Sequence, residues 1–327
     1  MSANRELVEL GDLDELARHV ERLAAGGWWD DLLELRDLCR KALERGRQLW
    51  PISSLAEYRL ALDGPGPWAA KVLVAGAGRF TPGPLPEVAA VNHTWEELAP
   101  HVDASTPEPT VFAHERVVRG EDLHRVDGLA ADVLEVPLRL QPWEPAYPVA
   151  EYAADRAAFP VEQPTGFAAA TLPARGAPAD DAETVRALRD LASAWATESN
   201  GRAEAVAVRG PALAAIGALG ISECRVAEIG PAAGLSRMAW TAASGGANGR
   251  RRGMAYGRFG AWWAAAALAG LGEEWPVDPD ELGEAVAELR WFAWEPPGPL
   301  AGWTCRLAVE DPADGLAWAL DASDAAL

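Results

Sequence analysis

In the stretch SGGANGRRRGMAYGRFGAWW, residues 244–263, four arginines follow a glycine-rich turn inside an acidic chain. Ser244, Gly245, Gly246 and Asn248 precede an expected helix N-terminus, where backbone amides lack intrahelical partners. Arg250, Arg251 and Arg252 stand beside them with guanidinium forks. Together these groups suit a phosphate or a carboxylate. The ligand-binding set read from this pattern is Ser244, Asn248, Arg250, Arg251, Arg252 and Arg258. A competing explanation is that the arginines pair with carboxylates of the same chain, Trp262 and Trp263 being core. From Ile229 to Gly272 there is no Asp or Glu and there are five Arg, so this stretch carries +5 and the remainder −25 of a net −20.

The glycines in this stretch raise a separate question. With a helix beginning near Asn248, Gly249, Gly253 and Gly257 share one face, while Arg251, Arg258 and Trp262 lie opposite. Three interior glycines oppose a helix by about 2–3 kcal/mol relative to alanine. Either another backbone packs closely on the stripe, or amides in this region approach a ligand.

A second polar cluster, Glu198, Asn200 and Arg202, surrounds the Asn-Gly turn of ATESNGRAEA just before an expected strand. Loop residues placed by a rigid sheet often bind ligands, and a plain connection explains them equally well. In an enzyme, Glu198 or Glu228 would be the candidate base and Arg250 to Arg258 the substrate clamp; no catalytic residue is assigned. Other chemistries find no pattern. In KVLVAGAGRF, Gly76 and Gly78 have the spacing of a dinucleotide turn, but Pro82 and Pro84 stand where the phosphate-binding helix should propagate. Trp68, Val72 and Ala75 instead fit a helix that these glycines end, and Thr94 with Glu97 forms a capping box. The five His all lie in the first 124 residues without metal-ligand spacing, and GLSRM at 234–238 lacks the second glycine of a nucleophile elbow. No cofactor and no metal are expected.

The chain has 327 residues, 49% of them hydrophobic and 15 of them Trp, which suits a folded protein of two domains. Its net charge argues against partners that present phosphate arrays, so neither nucleic acid nor membrane is an expected partner. Cys39, Cys224 and Cys305 are odd in number and widely spaced, as in a reducing compartment. The N-terminus lacks a signal-peptide pattern and the apolar run Phe259–Leu271 is too short to span a bilayer, so the expected location is the cytoplasm. Only Lys41 and Lys71 are lysines, a bias typical of a high-GC bacterial genome.

These groups need positioning elements. Leu13, Leu16, Val20 and Leu23, then Leu32, Leu35, Cys39 and Leu43, then Leu55, Tyr58 and Leu62, give successive amphipathic helices with short joints. This predicts a helical N-terminal domain over 1–125, a short helical-hairpin array offering a surface to a protein partner. Over 126–327 the texture changes to short β-like runs, among them VLEVPLRLQPW, GFAAATLPA and CRVAEIG, with a βαβ pattern over AEAVAVRGPALAAIGALGISECRVAEIG. Helices are expected over Ala255–Leu271 and Asp280–Phe292. Cys305, Leu307 and Val309 alternate, as do Leu316, Trp318 and Leu320, across EDPADG, which predicts a closing antiparallel hairpin. The fold class is α+β, a helical N-terminal domain followed by a mixed α/β domain.

The block SGGANGRRRGMAYGRFGAWWAAAALAGL resembles a segment of an uncharacterised family of high-GC bacterial proteins, a domain of unknown function. The resemblance covers about 30 residues; it implies a bacterial cytoplasmic protein and brings no catalytic residues. The resulting expectation is a non-enzymatic binding or regulatory protein with an anion site. An enzyme acting on a phosphorylated or carboxylated small molecule is the alternative.

Overall fold

The computed structural model describes residues 3–129, 133–161, 163–173, 176–298 and 302–325. The chain forms two compact units, Met1–Leu134 with Ala150–Phe159, and Glu135–Val149 with Pro160–Leu327. The single boundary expected between 125 and 126 is not where these units part. The chain leaves the first unit after Leu134, contributes fifteen residues to the second, and returns as a hairpin before crossing again at Pro160.

The first unit is helical: α1 (Ala3–Leu10), α2 (Leu13–Ala25), α3 (Trp29–Glu44), α4 (Trp50–Asp63), α5 (Gly66–Ala69), α6 (Leu85–Ala89), α7 (Trp95–Leu98) and α8 (Pro107–Val118), then the antiparallel pair β1 (Glu151–Ala153) and β2 (Arg156–Ala158). Asp12 caps α2 by accepting the Glu15 amide at 3.0 Å, and Leu16, Val20 and Leu23 are buried as their spacing predicts. Helix α4 is buried on nearly every face because α2, α3 and α6 all pack on it. Its buried Glu57 accepts the Gly78 amide at 2.8 Å. The turn at Gly76 and Gly78, both at positive φ, follows no strand, and the helix expected to carry Trp68, Val72 and Ala75 up to it is shorter: α5 ends at Ala69, a 3₁₀ turn ends at Val72 and Ala75 is exposed, while a carboxylate of the same chain takes the Gly78 amide. Thr94 caps α7, accepting from Glu97 at 3.2 Å.

The second unit contains α9 (Ala182–Asp190), α10 (Ser193–Glu198), α11 (Ala212–Ala218), α12 (Pro231–Ala243), α13 (Met254–Leu268) and α14 (Pro279–Glu288) around a seven-stranded sheet. Its strands are β3 (Ala168–Ala170), β4 (Ala177–Pro178), β5 (Arg202–Arg209), β6 (Cys224–Ile229), β7 (Arg290–Glu295), β8 (Trp303–Asp311) and β9 (Leu316–Asp324). The order is β3-β6-β7-β8-β9-β5-β4, with every pair antiparallel. Alternation along the strands separates two faces. Val208, Ala308, Ala317 and Ala319 meet α11 on one, whereas Trp291 meets α12 and Trp318 meets the start of α9 on the other.

The closing hairpin is β8–β9, with Leu307 opposite Leu320 and Val309 opposite Trp318. Four expectations change. The helix expected to Phe292 ends at Glu288, and RWFAWE is the strand β7, paired with β6 and β8, whose Trp291 and Trp294 are buried. The βαβ elements β5, α11 and β6 form, but β7, β8 and β9 lie between the two strands in the sheet. VLEVPLRLQPW is irregular: Pro137 and Pro142 carry no amide for a ladder, and the Pro137 and Arg139 carbonyls accept from Arg258 instead. GFAAATLPA contributes only the short β3, Ala174 lying outside the described residues.

Helix α13 starts at Met254, with Gly253 before it at φ 97°, so Gly249 and Gly253 belong to a loop and not to a helical stripe. Gly257 is helical, and a Cβ there would run into the Ala239 carbonyl oxygen and the Ala243 side chain of α12. Close backbone packing therefore accounts for this glycine.

Candidate functional site

Loop 244–253, between α12 and α13, is fastened from three directions. The Ala247 amide donates to Asp324 Oδ2 at 2.6 Å, the Asn248 amide to Ser199 Oγ at 3.0 Å and the Arg250 amide to Glu198 Oε2 at 3.3 Å. Ser244 is buried and accepts the Trp195 indole N–H at 2.7 Å. Gly246, at φ 77°, leaves room for the Asp324 carboxylate that a side chain would displace. The sheet register explains the meeting: β5 starts at Arg202 opposite Ser323, so the Asn-Gly turn and the end of β9 lie side by side. Two of the amides expected to face a ligand are thus taken by carboxylates of the same chain.

The two sequence-derived clusters therefore converge through Glu198. Arg252 is exposed, with Nη2 3.8 Å from Glu198 Oε1, and Arg250 and Asn248 are exposed beside it. Arg251 is buried. Asn200 is exposed in the turn; Arg202 reaches across to β9, with Nη2 3.6 Å from Asp321 and Nε 3.3 Å from Ser323 Oγ. Glu228 does not join them, since it binds Arg290 of β7 at 3.2 Å.

Arg258 is elsewhere again, with no exposed surface. Its guanidinium grips Glu144 through Nε–Oε2 and Nη2–Oε1, both 2.7 Å, and donates to the carbonyls of Pro137 at 2.7 Å and Arg139 at 2.9 Å. Glu144 also accepts from Tyr147 Oη at 2.6 Å, Trp262 Nε1 at 2.9 Å and the Gln141 amide at 2.8 Å. Burial alone would raise the Glu144 carboxyl. The Arg258 hydrogen bonds and charge, with the Tyr147 and Trp262 donors, outweigh it and hold the group below the usual carboxylate range. Burial pushes the Tyr147 hydroxyl well up, which keeps it a donor. This network pins residues 137–147 to α13 and commits the buried Arg258 guanidinium to partners of the same chain.

Next to Arg252 the surface opens into a cleft of about 480 Å³ that the sequence reading did not locate. Tyr256, Phe259 and Trp263 of α13 and Trp275 form its aromatic wall, and Glu135 and Asp190 join Arg252 as its charged groups. Trp275 meets Trp263 edge-on at 5.3 Å and Phe259 at 5.8 Å, and its indole N–H donates to Glu135 at 2.8 Å. The spacing of 256, 259 and 263 on one helix face was available as a signal, but it is equally the signature of core. Glu144 carried a clearer one, a single acid in the apolar, proline-flanked QPWEPAY.

Asp324 is 1% exposed, and its Oδ1 has no hydrogen-bond partner among the described residues. Replacing Asp324 by Ala is expected to lower stability by about 1–3 kcal/mol, because the Ala247 amide loses a charged acceptor. Urea melts read this as a lower midpoint at constant slope. Asp324→Asn, which keeps an acceptor, should recover part of the loss; equal midpoints for Asp324→Ala and the parent would show that the loop is held without it.

Among the described residues there is no group of three or more His, Cys, Asp or Glu that could hold a metal ion, and no helix is long and apolar enough to cross a membrane. All three cysteines are free and buried, and burial pushes the Cys39 thiol up to about 12. No curated protein and no solved structure gives a match to this chain. A family model described as a family of unknown function, DUF6183, matches residues 14–326, and the chain belongs to that family.

Proposed function

We propose that the protein is a non-enzymatic binding or regulatory protein whose second unit takes up a small anionic ligand, a phosphate or carboxylate, at Arg252. The observation that carries this reading is the exposed Arg252 guanidinium at the edge of a 480 Å³ aromatic cleft, on a loop fixed by Asp324, Ser199 and Glu198. On a braced loop only the Arg252 side chain has to be ordered on binding, and its loose ion pair with Glu198 leaves donors for an incoming oxyanion. The helices of the first unit offer a protein partner a separate surface. The enzymatic alternative finds less support, because Glu228 is bound to Arg290 and Arg258 to Glu144.

Phosphate at fixed ionic strength is expected to raise the melting temperature of the parent, since a ligand at 100 times its Kd stabilises the folded state by about 2.7 kcal/mol. Arg252→Ala should abolish the increase while leaving the melt in the absence of phosphate within about 0.5 kcal/mol, as for other exposed positions. Equal responses of the two proteins would remove the anion site.

A further inference from the structure

We infer that the cleft beside Arg252 binds a free mononucleotide, with the base against the aromatic wall, its amino group directed to Glu135 or Asp190, and its phosphate on Arg252. This deepens, and rests on, the anion-binding reading. Three observations combine. The cleft holds about 480 Å³, enough for a ligand larger than a bare anion. Its wall is aromatic, with Tyr256 41% exposed, Phe259 and Trp263 half-buried, and Trp275 set edge-on to both Phe259 and Trp263. Such faces stack planar rings of any base.

The third observation is the charge pattern. Two carboxylates and one guanidinium surround an aromatic surface, so a simple aryl acid would satisfy Arg252 and leave both carboxylates without a donor. A ligand that fits must carry hydrogen-bond donors at one end and an anion at the other. Adenine, cytosine and guanine present exocyclic amino donors that carboxylates accept, and the 5′-phosphate supplies the anion. Glu135 is already oriented, because its Oε2 holds the Trp275 indole N–H at 2.8 Å.

Calorimetric titration of the full chain with AMP, CMP, GMP, UMP, adenosine and inorganic phosphate tests this. At least one amino-bearing mononucleotide should bind tenfold or more tighter than inorganic phosphate, and tenfold or more tighter than UMP. Adenosine should bind more weakly than AMP, and Arg252→Ala should remove that difference. Tyr256→Ala and Trp263→Ala should each weaken nucleotide binding tenfold or more while leaving the response to phosphate intact. Tyr256 is exposed, so its variant reads the wall even if the Trp263 variant fails to fold. If mononucleotides bind no tighter than phosphate, or bind equally well to Tyr256→Ala, the cleft inference fails while anion binding at Arg252 stands. If neither phosphate nor any nucleotide binds, both fail.

Discussion

Arg258→Met should lower the stability of the second unit by about 3–5 kcal/mol, because it leaves Glu144 buried without its counter-ion. At roughly 2–4 °C per kcal/mol for a unit of this size, the melting temperature should fall on the order of 10 °C. The loss should depend on pH with a defined sign. In the parent, the folded-state Glu144 carboxyl lies below its unfolded value of about 4.3, so its contribution is present above that pH and is lost as pH falls through the folded value. In the variant, burial acts without the guanidinium and the folded value rises above the unfolded one. Its destabilisation then grows as pH rises through that window. The gap between the two proteins should therefore be widest at neutral pH and narrow on acidification below about pH 5. Urea melts from pH 4 to pH 8 measure it. A gap independent of pH would mean that Glu144 is not the group left uncompensated. Arg258→Met combined with Glu144→Leu should recover much of the loss, since a well-packed apolar pair can replace a buried ion pair at little cost.

Gly257→Leu is the second large effect. Helix α13 approaches α12 so closely at this position that any Cβ meets the Ala239 carbonyl oxygen, which is backbone and cannot swing aside. Overpacking typically costs about 1–3 kcal/mol, and a leucine against backbone belongs at the upper end even after the gain in helix propensity over glycine, about 0.8–1 kcal/mol. Gly260→Ala is the control. Its Cβ would stand 2.9 Å from the Ala242 methyl carbon, a neighbour on the helix surface, and the propensity gain should offset much of that crowding. Chemical melts that rank Gly257→Leu as less costly than Gly260→Ala would contradict the close helix contact.

Part of this architecture was legible because it rests on local regularities. The apolar spacing in α2 and α3 and the alternation through Cys305–Val309 and Leu316–Leu320 each encode one apolar face; Leu16, Val20, Leu23, Leu32, Leu35 and Cys39 are buried, as are Cys305, Leu307, Val309, Trp318 and Leu320, while Leu13 and Leu43 at the helix ends are exposed. The prolines after Gly78 excluded a phosphate-binding helix, and in the structure Glu57 takes the Gly78 amide. RWFAWE misled because aromatic residues serve a helix face and a fully buried strand equally well, and only its neighbours β6 and β8 make it a strand.

For the candidate site, the sequence determined the types of group and their segregation: arginines on a glycine-rich, acid-free stretch, and a polar Asn-Gly turn some 50 residues earlier. Tertiary structure decided their assignment. Of the arginines it left Arg252 at a cleft and sank Arg258 against Glu144, 114 residues away in the chain. It filled two loop amides with Glu198 and Asp324 and bound Glu228 to Arg290. The physical reason is that a charge reports what it needs but not where it finds it. Burial demands a partner for every guanidinium and carboxylate, and which partner is within hydrogen-bonding distance depends on sheet order and helix packing, contacts that no local pattern encodes.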